Sequence, residues 1–398
     1  MRDPSSAAPR RGLLVGLALA ALVAVGCGSD DDTGSDNDPI RIGVNVELSG
    51  PASVLGNAYA DAAKLRAELL NEQEGGILGR PIELIVTDNR SDQTEALTLT
   101  EELTDRKKAV AMIGPGTSPT SLAAMGAILK SGVPTLSLGS AEAIVSPAAE
   151  RPNVFKTTPD GDVAARAIVD DLERRGLRRV GLLSTNNPYG DDGLQAVERL
   201  AEEGAIDLVA AEKFEEEDSD TTPQLRRLLD ADPDALIVWA IPPGAPTVRR
   251  DAVEKLDVDV PMYFDSGAGA ELFLTLAGAS AHGARVVQPR SLVWNQVPDD
   301  HPLAEELEEF GNAYTGEYGE MSGFAGYAWD SVGMLKAAIE SARSTEPGAM
   351  VRALEGLGDY PGVSGTLEFS PQSHSALSAD DVVILEVRAG AWTLPRRR

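Results

Sequence analysis

Residues 110–140 read VAMIGPGTSPTSLAAMGAILKSGVPTLSLGS, and the fold class follows from the order of their parts. Val110 to Ile113 is a short apolar run that suits a buried strand, broken by Gly114, Pro115 and Gly116. Ser118 stands where a helix N-cap is expected and Pro119 at the first helical position, where its missing N–H costs nothing. Leu122, Met125, Ile128 and Leu129 repeat at helical spacing, and Ser131-Gly132 closes the helix before Pro134 opens a second strand at 135–138. A strand, a Gly-rich turn and a helix start in this order place free backbone N–H groups at the carboxyl edge of a parallel sheet. The positive end of the helix dipole adds to them, so the turn favours a carboxylate or another anion.

Working outward, the same alternation continues in both directions. Residues 40–48 (IRIGVNVEL) and 81–88 (PIELIVTD) read as strands, with a helical face on Ala58, Ala62, Leu65 and Leu69 between them and another through Ala96, Leu99 and Leu103. A second series follows residue 160. Helices run through Ala164, Ile168 and Leu172, and through Leu194, Val197 and Leu200; strands are expected at 179–184, 235–241, 262–265 and 285–288. Repeated alternation of this kind implies an α/β fold with parallel sheets between helices, and ligand sites at the strands' carboxyl ends. The last third differs: 302–319, 324–342 and 347–357 are helical patterns, and strand-like pieces at 365–369 and 382–387 close the fold.

At 398 residues the chain has room for two domains with cores of their own. Its net charge of −28, from 63 acidic and 35 basic residues, argues against nucleic acid as a partner, because phosphate binding needs a basic surface. Three histidines, His282, His301 and His374, are not spaced as a metal pair, and none accompanies a Gly-x-Ser-x-Gly turn. With no phosphate-cradling Gly loop ending in Lys either, the sequence lacks the parts of nucleophilic, zinc or nucleotide chemistry. It is therefore expected to be neither an enzyme nor a metal or cofactor carrier.

Arg2, Arg10 and Arg11 precede an uncharged Leu/Ala/Val-rich run, 12–26, which ends at Cys27, the one cysteine of the chain. That run falls short of the ~20 apolar residues of a spanning helix and suits the apolar region of an export signal. Ala24-Val25-Gly26-Cys27 resembles a bacterial lipoprotein box, with Ala24 where Leu is usual. Residues 1–27 are expected to be a lipoprotein signal with Cys27 lipidated, the alternative being a plain secretory signal. Residues 28–39, GSDDDTGSDNDP, have nothing to bury and read as a flexible acidic tether.

Beyond the tether, the chain resembles the extracytoplasmic ligand-binding receptors of the leucine/isoleucine/valine-binding type, which serve ABC importers. The matching residues are Ile42-Gly43-Val44 with Leu48-Ser49-Gly50-Pro51, then Gly75-Gly76-Ile77-Leu78-Gly79-Arg80-Pro81-Ile82 with Asp88. They continue at Ile113-Gly114-Pro115, Gly132-Val133-Pro134, Phe155-Lys156-Thr157-Thr158-Pro159, Tyr189-Gly190 with Gly193, and Gly365-Thr366-Leu367-Glu368-Phe369. The resemblance implies a two-lobed type I periplasmic-binding-protein fold with three hinge crossings. Lobe 1 would hold 40–158 and 289–359, and lobe 2 would hold 159–288 and 360–398. It also implies a small-molecule ligand in the cleft, a closed form recognised by a membrane permease, and a monomer anchored outside the cytoplasm.

Carried over position by position, the resemblance puts Ser118 at the ligand carboxylate, or Thr117 if the loop shifts by one. Gly139, Ser140 and Ala141 fall on the strand end that offers backbone groups, Ala141 standing where Thr is usual. Tyr189 falls at a stacking position, Asp265 opposite a ligand ammonium, and Leu55 where an aromatic lid is common. These residues suggest a branched-chain or hydrophobic amino acid. Amides, urea and aromatic acids, bound on similar frameworks, stay open, as does a ligand sensor on the same fold.

Overall fold

In a computed structural model, which describes residues 38–395, strand and helix alternate from the first element. The export segment, Cys27 and the tether up to residue 37 lie outside the described residues. The order begins β1 (Ile40–Val46), α1 (Ser53–Glu74), β2 (Ile82–Asp88), α2 (Gln93–Glu101), β3 (Ala111–Ile113), α3 (Ser118–Ser131), β4 (Thr135–Ser137) and β5 (Val154–Lys156). These strands form one parallel sheet in the order β2-β1-β3-β4-β5. β1 lies inside it with Ile40, Ile42, Val44 and Val46 fully buried, which is why its sequence is almost continuously apolar.

The second series comprises α4 (Gly161–Arg175), β6 (Arg179–Thr185), α5 (Pro188–Glu202), β7 (Asp207–Phe214), α6 (Thr222–Leu229), β8 (Ala235–Trp239), α7 (Gly244–Arg250), β9 (Met262–Phe264), α8 (Glu271–Ala277) and β10 (Arg285–Pro289). Helices α9 (Ala304–Tyr318), α10 (Ala325–Ala342) and α11 (Pro347–Glu355) follow. A short hairpin, β11 (Tyr360–Pro361) and β12 (Thr366–Leu367), then leads to β13 (Val382–Arg388) and β14 (Ala391–Thr393). The second sheet runs β14-β13-β10-β9-β8-β6-β7.

Three features differ from the sequence expectation. The second sheet is mixed: β13 pairs antiparallel with β10, and β14 antiparallel with β13. The two-residue link Ala389-Gly390, both residues at positive φ, allows only a hairpin return there. Strand β7 and helix α6 fall where no element was expected from the sequence. β7 pairs only with β6, and such an edge strand tolerates Glu212 and Lys213 because one side faces solvent. Finally, residues 360–377, expected with the second lobe, pack with the first. Leu367, Phe369, Ala376 and Leu377 join the core built on β1, α1 and α10. Asp330 of α10 holds the hairpin in place by accepting the Val363 and Ser364 N–H groups, both at 2.8 Å, and Phe369 lies 4.9 Å from Phe155, ring to ring. The chain rejoins the second sheet only at β13.

Candidate functional site

A cavity of about 260 Å³ opens between the carboxyl ends of the two sheets' strands. Each wall is made by the residues immediately after a strand: 116–119 after β3, 138–140 after β4, Thr158 after β5, Asn187 and Tyr189 after β6, Glu216 and Glu217 after β7, Ile241 after β8, and Ser266-Gly267 after β9. Strand ends converge at this edge in open parallel sheets, and their turns are free to carry function. Pro51 and Ala52 after β1, Ser91 and Gln93 after β2, Leu55 and Tyr59 of α1, and Phe324 and Tyr327 at the start of α10 complete the lining.

The turn after β3 is shaped from below by a buried acid. Glu47 accepts from Thr120 Oγ1 at 2.7 Å and from Asn89 Nδ2 at 3.1 Å. Burial pushes its carboxyl up, and those hydrogen bonds act against the shift. Gly116 passes so close that a Cβ there would sit 2.0 Å from Glu47 Oε2, so a glycine is required. Thr120 also closes a capping box with Thr117, whose side chain accepts the Thr120 N–H.

This places the N-cap of α3 at Thr117, one position earlier than the sequence suggested, with Ser118 and Pro119 as its first two helical residues. The physical reason is the Ser118 hydroxyl itself. Instead of capping, it accepts the Ala141 N–H at 3.0 Å and so ties α3 to the turn after β4. Its own O–H remains available to a ligand oxygen, beside the Ser118 N–H.

Of the residues anticipated from sequence, Leu55, Thr117, Ser118, Gly139, Ser140 and Tyr189 line the cavity together. Ala141 does not. Its N–H is taken by Ser118, and its methyl group packs with Ala124, Ile128 and Ile144. Asp265 is also absent from the lining. It is wholly buried, with its oxygens accepting the Ala240 N–H at 3.2 Å and the Gly267 N–H at 2.9 Å. Burial pushes its carboxyl up to about 8. Asp265 therefore shapes the Ser266-Gly267 turn from beneath and is not placed to meet a ligand ammonium directly.

Several lining residues carried no functional signal in the sequence. Tyr59 and Tyr327 sit at helical spacing among apolar residues and read as core. Glu216 and Glu217 belong to an acidic run, 215–218, of the kind that normally faces water. Two polar atoms at the cavity await partners: the hydroxyls of Tyr189 and Tyr327 are buried without a hydrogen bond. Behind Ser140, the buried Lys156 ammonium donates to the Ser140 carbonyl at 2.6 Å and lies 3.7 Å from Asp160. Asp192 on α5 spans the rim, accepting the Glu142 N–H at 2.8 Å from the far wall and the Gly161 N–H at 3.0 Å. Among the described residues no group of three or more His, Cys, Asp or Glu could hold a metal ion, and no helix is long and apolar enough to cross a membrane.

A family model described as periplasmic binding protein matches residues 39–391. An amino acid binding protein of Pseudomonas aeruginosa is 23% identical over 356 residues, covering 87% of this chain and 90% of that protein. Among solved structures, an extracellular ligand-binding receptor from Rhodopseudomonas palustris HaA2 superposes with a TM-score of 0.83 at 24% identity, over 90% of this chain and 100% of the other. A branched-chain amino acid transporter substrate binding protein from Streptococcus pneumoniae, in complex with isoleucine, gives 0.78 at 24% identity over 89% and 98%. An R. palustris solute binding protein in complex with 4-hydroxybenzoate gives 0.77 at 18% identity over 89% and 95%.

Proposed function

We propose that this chain, which belongs to the periplasmic binding protein family, captures a small amino acid with a branched or hydrophobic side chain and delivers it to an ABC permease. It is a solute-binding protein and not an enzyme, and the family places it outside the cytoplasm. The observation that carries the ligand reading is the first turn of α3. Thr117 and Ser118 bring hydroxyls, and Ser118 its N–H, to a wall whose neighbours, Leu55, Leu138, Ile241 and Phe324, are apolar. A carboxylate at the helix start with an aliphatic group against those side chains fits both halves of the lining. The names of the Pseudomonas and Streptococcus relatives agree with that class.

In this reading the two sheets belong to lobes that close on the ligand, residues 40–158 with 290–377 on one side and 159–289 with 378–395 on the other. Ligand binds the closed form more tightly and shifts the population toward it, which the permease then recognises. Lipidation at Cys27 would hold a monomer at the membrane through the acidic tether; Cys27→Ala should then abolish incorporation of labelled fatty acid into the protein.

The ligand reading is tested by thermal shift of the full chain against the common amino acids, amides, urea and aromatic carboxylates. A ligand at 100 times its Kd adds about 2.7 kcal/mol. The expected result is a shift with leucine, isoleucine or valine that shrinks in Ser118→Ala. A response confined to uncharged amides or urea would overturn the amino-acid reading.

A further inference from the structure

The ionisable side chains that line the cavity are three tyrosines and two glutamates; no Lys, Arg or His is among them. The nearest buried cation, Lys156, already faces Asp160 and donates to Ser140. Cations near the glutamates are also taken: Lys213 pairs with Asp191, Arg227 with Glu212, and Lys255 with Asp220 and Asp251. The start of α3 supplies a partial positive charge of about one half, less than one carboxylate needs. A ligand that is only an anion would therefore bring a further negative charge into a cavity that already holds two.

Glu216 is built into this wall and does not simply hang over it. It is half-buried, and Asn187 Nδ2 donates to its Oε1. Asn187 is itself held by the N-terminus of α5, where its side-chain oxygen accepts the Tyr189 and Gly190 N–H groups, each at 3.0 Å. The same helix turn carries Tyr189, more than nine-tenths buried, whose hydroxyl reaches the cavity wall with no partner; Tyr327, on the opposite side, is in the same condition. A fixed carboxylate with buried, unpaired hydroxyls around one space offers acceptors to a group with several N–H donors. An ammonium has three.

We propose that Glu216, oriented by Asn187, is the ammonium partner of the cleft, and that the site selects amine-bearing carboxylic acids over simple monocarboxylates. This rests on the reading of the cleft as a receptor site for a small carboxylic acid. It transfers to the loop after β7 the role that the sequence suggested for Asp265. The exposed neighbour Glu217 adds field at the mouth, while Glu216 makes the contact.

Three pairs of probes differ only in the amine: leucine and 4-methylpentanoate, isoleucine and 3-methylpentanoate, valine and 3-methylbutanoate. Calorimetry on the full chain should find the amino acid of at least one pair bound about tenfold or more tightly than its deamino counterpart, as loss of a charge-assisted contact predicts. That ratio should collapse toward one in Glu216→Gln and survive in Glu217→Gln, with circular dichroism confirming that both variants fold. An undiminished ratio in Glu216→Gln overturns the assignment but leaves the amino-acid reading intact. Binding of the deamino acids or of 4-hydroxybenzoate as tightly as any amino acid overturns the selectivity and leaves only a receptor for carboxylic acids. Failure of all seven compounds to bind counts against this proposal and the ligand reading beneath it.

Discussion

Gly193 offers the sharpest test of how the second lobe positions its side of the cleft. It lies on α5, one turn after Tyr189, with its face against the fully buried indole of Trp239 in β8. A Cβ at this position would come within 2.2 Å of Trp239 Cδ2, 2.4 Å of Cε2 and 2.5 Å of Cγ. Carbon atoms rest at about 3.5 Å, so Gly193→Ala requires a displacement of about 1.3 Å between helix and sheet. The indole has little room to yield, being packed among Val197, Ala196 and Tyr263 in one continuous core. Overpacking of this kind costs about 1–3 kcal/mol, and the better helix propensity of Ala returns roughly 1. With three ring atoms inside contact distance the upper part of that range applies, for a net loss of about 1–2 kcal/mol. Because Tyr189 stands on the same helix, 6.2 Å from the Trp239 ring, lifting α5 should also weaken ligand binding. Urea unfolding should show a lower midpoint with an unchanged slope. A midpoint at or above that of the parent protein would refute the idea that α5 is seated directly on Trp239.

Three other outcomes are expected. Lys156→Ala removes the buried partner of Asp160 and of the Ser140 carbonyl, and should cost about 3–5 kcal/mol in denaturant unfolding at neutral pH. Burial alone would raise the Asp160 carboxyl, but Lys156, the Val163 N–H and the Ser375 hydroxyl together hold it below the usual range. The deficit should therefore shrink in acid, as Asp160 protonates and its stabilising contribution is lost in the parent too. Asp265 works with the opposite sign: pushed up to about 8 by burial, it takes up a proton on folding, so its contribution to stability falls as pH rises from about 4 to 8, by at most about 1.4 kcal/mol per pH unit. Asp330, raised by burial to about 6, adds the same sign at lower pH, which leaves pH 6–8 as the window for Asp265. Unfolding free energies of Asp265→Asn should be flatter than those of the parent there, and parallel curves would sink the argument. Asp192→Ala removes the acceptor of the Glu142 N–H across the rim, and should speed ligand release several-fold in stopped-flow measurements; an unchanged rate would show that this contact does not hold the cleft closed.

The first turn of α3 was legible in the sequence because its signals are local. Gly-rich turn, Ser-Pro helix start and flanking apolar runs all act within a few residues, so Ser118 could be named before any contact was known, while Thr117, Gly139 and Ser140 came from the family resemblance. The exact cap was not, since the choice between Thr117 and Ser118 depends on Ala141, 23 residues past Ser118, whose N–H claims the serine hydroxyl.

The distant pairings were harder still. An acidic residue after β9 looked like an ammonium partner, yet Asp265 turns inward to the N–H groups of Ala240 and Gly267, while Glu216, from an unremarked acidic run after an edge strand, reaches the cavity. The boundary at 360 failed for a similar reason: Asp330 on α10 captures the hairpin, and that hydrogen bonding has no trace in the hairpin's own residues. Strand and helix periodicity, turn residues and caps record the backbone's local preferences, and from these the sequence alone determined an α/β chain with a ligand edge at its strand ends. Which carboxylate is buried and which meets solvent is settled by desolvation, and desolvation depends on what the rest of the chain packs around each group. Only the tertiary structure decides that.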